Sequence, residues 1–467
     1  MSKIKIGIIG AGSAGIFAAN ELGKSNHDDL EITMFDAGPD IENRMCPHQE
    51  LEIECKKCDP CRIMSGVGGA GCYSSGILNL NKKIGGDIED LCERVGLNAE
   101  ELIASIDDFF VKNGAPEQYF DPYQNKEKLR ALRKKCAAAD IKFIPIKQRV
   151  LGSKNTPKVL INIRDYLTSH HNINIIPNTM VMSFNEQKKV VLESGKEKSF
   201  DYLLVAPGRW GMVWLAEECE RVGIETQYMP LDIGVRVEVP AIIMEDICED
   251  IQRDPKFHII TPTYNDFVRT FCVNHKGSVV REHYDKNIVG VNGHQLTVEG
   301  NSDNSNFAFL IRQKLTSPLE DTTEYGRSIS KQTSILGGYK PLLQTLGDLR
   351  SGHRSRTSLI DRNPVQPTLK ENTPGDIAMA YPYRFVCDIL EGLAVLDKVI
   401  PGVNNDSTLI YAPEFKRSAK RVETNEFLEA KQIEDIFFAG DGAGLSRGIV
   451  GAAVTGIIAA KGILEKV

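Results

Sequence analysis

Two glycine turns near opposite ends of the sequence constrain this chain more than any other feature. The first follows the apolar run Ile4–Ile9 and reads Gly10-Ala11-Gly12-Ser13-Ala14-Gly15, opening a helical stretch over about residues 13–24. A second strand, Leu30–Phe35, ends at Asp36, so residues 3–36 read as a β-α-β unit. The second turn, Gly440-Asp441-Gly442-Ala443-Gly444, follows the strand-like Ile436-Phe437-Phe438-Ala439 and precedes the small, apolar stretch Gly448–Leu464.

The spacing of the first turn has a geometric meaning. Gly10 permits the tight turn off the strand, Gly12 lets backbone approach a pyrophosphate, and Gly15 lets the helix pack on the sheet. Ser13 and Ala14 then present helix N-terminal N–H groups to an anion. Asp36 lies 21 residues beyond Gly15, where an acid can accept from ribose hydroxyls. A nicotinamide site needs only this turn. A closing strand and helix given to the same crevice favour FAD, with Asp441 at the ribitol and the helix that includes Gly448 and Ile449 aimed at flavin or pyrophosphate. A plain helix cap is the alternative role for Asp441. Asp201–Arg209 (DYLLVAPGR) resembles the strand and turn that FAD-binding folds place over the dinucleotide, which implies a third wall at Ala206 and Gly208. No second GxGxxG follows a strand, so NAD(P)H is expected only as a visiting donor.

The expected fold is therefore α/β: a Rossmann-like FAD-binding domain, discontinuous in sequence, with an inserted mixed α+β substrate domain. Its parts are 1–210 (with a Cys/Gly-rich module at 44–80), 211–430 as the insertion, and 431–467. Alternation in Ile233-Gly234-Val235-Arg236-Val237-Glu238-Val239 suggests an antiparallel sheet face inside the insertion. With 467 residues, two or three domains are expected. A net charge of −7 and no basic arm argue against a nucleic-acid partner. Gly448–Leu464 is short for a membrane span and carries Lys461, so a buried helix and a cytoplasmic protein are expected.

Residues 65–76 (SGVGGAGCYSSG) are too rich in small residues for a core element, and suit backbone lying against a flat ligand through Gly68, Gly69 and Ala70. Cys72 in this run is either a redox thiol or a small buried filler. Upstream, Cys46, Cys55, Cys58 and Cys61 have the spacing C-x8-C-x2-C-x2-C, with His48 as a substitute ligand. Three readings stand: an iron–sulfur cluster fed by a ferredoxin-like donor, a structural zinc, or thiols without metal.

The chain resembles an uncharacterised family of FAD-dependent dehydrogenases, usually described only as NAD(P)/FAD-dependent oxidoreductases, within the glutathione-reductase-type FAD fold. The resemblance lies in GVGGAGCYSSGILNL (66–80), PLDIGVRVEVP (230–240), DFVRTFCVNHKGSVV (266–280), VNGH (291–294), NSNFAFL (304–310), LGDLRSGHRS (346–355), PTLKENTPGDI (367–377) and FFAGDGAGLSRGIVGAAVTG (437–456). Two departures are Ser74-Ser75-Gly76-Ile77, where relatives tend to have Ser-Asp-Gly-Lys, and Asp36 in place of the commoner Glu. The resemblance implies an FAD enzyme and names no substrate. Polar residues within the matching stretches, namely Arg236, Glu238, Arg269, His275, Asn292, His294 and Arg447, are the substrate-side candidates, each set against a salt-bridge or buried-histidine role. His294 and Arg447 are preferred as catalytic residues, His294 for proton transfer.

The leading expectation is hydride exchange between flavin and a small organic substrate. Its rivals are a non-catalytic flavin- and metal-binding scaffold or RNA-modification partner, and a thiol–disulfide flavoenzyme using neighbouring cysteines of the cluster.

Overall fold

The computed structural model describes the chain apart from residues 1–2, 26, 28, 47–55, 57, 75, 172, 286, 296–301, 319 and 417. It divides into two compact units. The first comprises residues 1–118, 149–229 and 419–467, and the second residues 119–148 and 230–418. The unit boundaries thus fall at 229/230 and 418/419, and the excursion 119–148 belongs with the middle of the chain.

The first unit is built on a five-stranded sheet. In chain order its strands are β1 (Ile4–Ile9), β2 (Leu30–Phe35), β3 (Asn174–Ile176), β4 (Tyr202–Val205) and β5 (Ile436–Phe438). Their spatial order is β5-β4-β1-β2-β3, and every pairing is parallel. Parallel strands need crossovers that cover both faces, so their sequences are nearly continuous apolar runs. Ile6, Ile8, Leu203, Leu204, Ile436, Phe437 and Phe438 have no exposed surface. The strand order reverses between β1 and β4. That is the switch point at which open α/β sheets leave a crevice beyond the strand ends.

Two helices flank this point. Helix α1 (Ser13–Gly23) follows β1, and α2 (Gly448–Leu464) follows β5. Their contact depends on small residues, since a Cβ on Gly456 of α2 would lie 2.1 Å from the Ala14 carbonyl oxygen of α1. This explains why α2 is buried almost all round while being rich in Gly and Ala. Among the described residues, no helix is long and apolar enough to cross a membrane.

The second unit contains an eight-stranded sheet. Its order is Thr373–Pro374, Leu342–Thr345, Leu409–Lys416, Leu231–Pro240, Asn304–Gln313, Phe267–Asn274, Lys256–Ile260 and Lys142–Ile144. All neighbours are antiparallel except the first pair. A separate hairpin pairs Ser278–Asp285 with Ile288–His294. Strand Leu231–Pro240 does alternate, but it is buried at nine of its ten positions, so neither face is open to water.

Candidate functional site

The three glycines of the opening turn are demanded by different things. Gly10 has φ +103°, and a Cβ there would lie 2.2 Å from the Ala206 carbonyl oxygen at the end of β4. A Cβ on Gly15 would lie 2.0 Å from the Gly10 carbonyl oxygen. Gly12 is different. Its backbone is extended (φ −82°, ψ −171°), a conformation open to any residue, and a Cβ would meet only Gly69 Cα, at an ordinary 3.6 Å. Neither strain nor packing within the protein requires glycine at position 12. Close approach by a ligand would require it.

Gly12 is also the N-cap of α1. It offers no side chain to the first-turn N–H groups, and that turn carries no acidic residue. Its partial positive charge is therefore left for an anion. The start of α2 lies close by, because Ser13 Oγ donates to the Ile449 carbonyl at 2.8 Å.

Asp36 turns inward. One carboxylate oxygen accepts from Ala11 N at 3.0 Å, and the other from Gly38 N at 2.9 Å and Ser65 Oγ at 3.5 Å. Burial pushes its pKa above the usual carboxylate value, and these donors, with Arg44 nearby, pull against that shift. The side chain ties the opening turn to the segment after β2. A carboxylate one methylene shorter than glutamate reaches back to the turn in this way.

The glycine-rich run is a packed wall. Ser65 to Gly68 are buried, and a 3-10 turn spans Ala70–Tyr73. Gly68 N donates to the Ala11 carbonyl at 2.9 Å, and a Cβ on Gly69 would lie 3.0 Å from Gly12 Cα. A Cβ on Gly71 would lie 3.0 Å from Ile449 Cγ1. Cys72 has no exposed surface, and burial raises its thiol pKa to about 11. It has the surroundings of a core filler, protonated at neutral pH.

Arg44 holds this wall and was missed in the sequence. It is buried and donates to the carbonyls of Arg62, Ile63, Gly66, Val67 and Gly69. Nothing in the spacing of Asn43-Arg44-Met45 distinguishes it from a surface arginine.

On the other side, Asp441 accepts from Ser446 Oγ at 2.9 Å and from Gly448 N at 3.0 Å, which is a capping contact at the start of α2. Its pKa is raised chiefly by burial, opposed by Arg209, whose Nε stands 4.0 Å away. Gly440 has φ +82°, and its N–H donates to Thr455 Oγ1 at 3.0 Å. A Cβ on Gly442 would lie 2.3 Å from the Gly208 carbonyl oxygen, so the β4 and β5 turns are in contact. Gly208 and Gly448 both have positive φ and face open space. Arg447 is the N-cap residue of α2, and its N–H donates to the Gly85 carbonyl at 2.7 Å.

Gly10, Gly12, Ser13, Ala14, Gly15, Gly68, Gly69, Ala206, Gly208, Gly440, Asp441, Gly448 and Ile449 are thus brought together in the first unit around the switch point. Ala70 opens the adjoining 3-10 turn. The chemistry of this set fits a dinucleotide: glycine backbone, an uncapped helix start and a few polar anchors.

Of the proposed metal ligands, Cys55 and the substitute His48 lie outside the described residues. Cys46 and Cys61 are half-buried and Cys58 is exposed, and none of the three is in a disulfide among the described residues. Among the described residues, no group of three or more His, Cys, Asp or Glu is placed to hold a metal ion.

The other candidates lie in the second unit. Arg236 and Glu238, expected as substrate contacts, are fully buried with protein partners. Arg236 donates to Asn306 Oδ1 (2.8 Å) and the Cys272 carbonyl (2.7 Å), and stands 3.5 Å from Glu414. Glu238 accepts from Thr368 and from Tyr411, and burial raises its pKa. Both are structural here, because a strand covered on both faces points its polar residues into the protein. Arg269 pairs with Asp232 at 2.9 Å. His275 lies between Ser305 Oγ (2.8 Å) and Glu249 (3.1 Å). Asn292 reaches Glu282 at 3.4 Å. His294 ends its hairpin strand, half-buried, and burial lowers its pKa, which favours the neutral ring.

The fold and site define a parallel α/β unit with glycine-rich turns gathered at its switch point. No family model matches the chain. An uncharacterized protein of Clostridium beijerinckii is 25% identical over 483 residues, covering 98% of this chain and 80% of that protein. Among solved structures, L-proline dehydrogenase from P. horikoshii matches with TM-score 0.40 and 13% identity, covering 100% of this chain and 94% of that one. CtdE in complex with FAD matches with TM-score 0.36 and 11% identity, covering 98% and 83%. Glycine oxidase from Bacillus cereus matches with TM-score 0.37 and 11% identity, covering 100% and 96%.

Proposed function

We propose that this chain is an FAD-dependent oxidoreductase that exchanges hydride between the flavin and a small organic substrate. The observation that carries the reading is Gly12, a glycine that neither the local backbone nor protein packing requires, set at an uncapped helix start beside the glycine wall. FAD is favoured over a nicotinamide because the crevice is lined from both ends of the sequence, by the opening turn and by the Gly440–Ile449 segment.

In this reading the first turn of α1 binds the pyrophosphate, and the wall at Gly68 to Ala70 excludes water from one side. Asp441, already oriented by Ser446 and Gly448, retains lone pairs for a ribitol hydroxyl. Asp36 braces the turn. FAD, when bound, supplies the hydride-accepting and hydride-donating ring. His294 is proposed as proton acceptor and Arg447 as an anchor for an anionic substrate. Electrons are exchanged with NAD(P)H as a visiting carrier, or with a ferredoxin-like partner through a cluster on Cys46, Cys55, Cys58 and Cys61.

Purification without oxygen, an absorption spectrum and metal analysis provide the first test. A yellow protein that takes up FAD stoichiometrically is expected, with broad brown absorption added if iron–sulfur is present. Reduction with dithionite followed by a panel of organic acceptors then separates an enzyme from a scaffold. A well-folded, colourless protein that refuses FAD refutes the reading, and failure of every acceptor to reoxidise the flavin supports the scaffold.

A further inference from the structure

Arg44 does more than fill space. It is 2% exposed, yet its guanidinium reaches five main-chain carbonyls of one segment. Nε donates to Arg62 O at 2.9 Å, and Nη2 to Ile63 O at 2.6 Å. Nη1 donates to Val67 O and Gly69 O, each at 2.8 Å, with Gly66 O at 3.4 Å. The guanidinium carbon stands 5.1 Å from the Tyr73 ring centroid. The segment fits closely against it and against the chain at Pro39: Gly66 has φ +122°, and a Cβ there would lie 2.7 Å from the Pro39 carbonyl oxygen, 2.8 Å from Arg44 Cδ and 2.9 Å from Nε.

Two physical facts make this arrangement consequential. A run with glycine at 66, 68, 69 and 71 has high conformational entropy, and only the buried Val67 and Cys72 side chains anchor it to the core. Its turn carbonyls also need donors once buried. A planar fork with five N–H groups meets both needs, which a single ammonium cannot. The contacts run onward: Arg44 holds the Gly69 carbonyl, Gly69 abuts Gly12, and Gly68 N holds the Ala11 carbonyl of the opening turn.

We propose that Arg44 is a positioning residue that fixes the glycine wall against the dinucleotide turn and so sets how tightly the chain holds FAD. The proposal rests on the FAD reading above and adds a residue that acts through the main chain, without touching the cofactor.

The test uses Arg44→Ala and Arg44→Lys in the full chain, with amide hydrogen exchange over residues 62–71 of FAD-free protein and FAD titration. In Arg44→Ala, amides of 66–69 are expected to exchange at least about tenfold faster, and FAD to bind about 10–100-fold more weakly, as when a supporting contact behind a ligand is lost. Millimolar ethylguanidinium restores both and ethylammonium does not, which loss of packing alone would not produce. Arg44→Lys, charged but without the fork, recovers little of either, and it carries the exchange test should the alanine variant fail to fold. Unchanged exchange with FAD affinity within twofold of wild type overturns the proposal, as does equal rescue by ethylammonium. If wild-type protein refuses FAD, the functional reading falls, and the exchange and rescue data alone decide whether Arg44 fixes the wall.

Discussion

Gly12→Ala should separate ligand binding from folding, and Gly15→Ala supplies the contrast. At position 12 the backbone is already extended, and the new methyl makes ordinary contact with Gly69 Cα at 3.6 Å. Removing glycine lowers the entropy of the unfolded chain, a gain of about 0.4–1 kcal/mol. Alanine is a poorer N-cap, a loss of about 0.5–1 kcal/mol. The two nearly cancel, so the FAD-free variant should melt within about 3 °C of wild type. At position 15 the methyl would lie 2.0 Å from a backbone oxygen. Relieving that overlap costs about 3 kcal/mol, against about 1 kcal/mol gained in helix propensity. Gly15→Ala should therefore melt about 4–8 °C lower. FAD affinity reverses the order of interest: a methyl intruding on the pyrophosphate costs about 1–3 kcal/mol, a weakening of about 5–150-fold for Gly12→Ala despite its intact fold. Thermal melts of FAD-free protein and flavin-fluorescence titration read the two effects. If Gly12→Ala binds FAD like wild type, or melts as low as Gly15→Ala, the argument that a ligand requires this glycine is wrong.

Other expectations concern buried charge and thiols. Asp388 is fully buried against Asp266, accepts from Thr261 Oγ1 at 2.7 Å, and has its pKa raised to about 7, chiefly by burial. An acid raised in the folded state binds protons that the unfolded chain has released, so its contribution falls as pH rises from about 4 to about 7. Asp388→Asn, which mimics the protonated form, should be the more stable at pH 7 by a few kcal/mol, on the order of the shift, with the difference vanishing near pH 4; a pH-independent difference in melting would refute this. Arg236→Met should destabilise by about 3–5 kcal/mol, because Asn306 Oδ1 and the Cys272 carbonyl lose a buried donor and Glu414 loses one buried cation, with Lys416 remaining at 2.7 Å; denaturant unfolding showing less than about 1 kcal/mol would make these contacts dispensable. In folded protein at pH 7.5, Cys58 should react with an aromatic disulfide reagent, while Cys72, Cys92 and Cys136, buried with thiols raised to about 11, should not. Modification of Cys72 before Cys58, followed by peptide mapping, would contradict that order.

Periodicity and turn chemistry made the outer frame legible. The opening strand, helix and strand fall at Ile4–Ile9, Ser13–Gly23 and Leu30–Phe35, and the apolar stretch Gly448–Leu464 is one helix, because fully buried parallel elements have distinctive composition. The inside of the site was not legible. Asp36 sits where spacing places a ribose acid, yet its carboxylate also has unpaired backbone donors within reach, and spacing carries no information about which it takes. Arg44 serves carbonyls 18 to 25 residues away, beyond any local pattern. Arg236 and Glu238 alternate correctly, but alternation cannot distinguish a face open to water from one closed by further structure. The joining of residues 119–148 to the middle of the chain likewise depends on the long-range pairing of Lys142–Ile144 with Lys256–His258, for which a three-residue strand gives no advance sign.

The pairing of β5 beside β4 and the seating of α2 on α1 have a consequence for biosynthesis. During translation, the amino-terminal strands emerge from the ribosome early but cannot complete their core until residues 436–464 follow. Meanwhile the intervening segment has time to fold as its own unit. A nascent chain arrested before that point would hold exposed apolar strand edges, so chaperone occupancy should peak late in elongation and fall once the final helix is released.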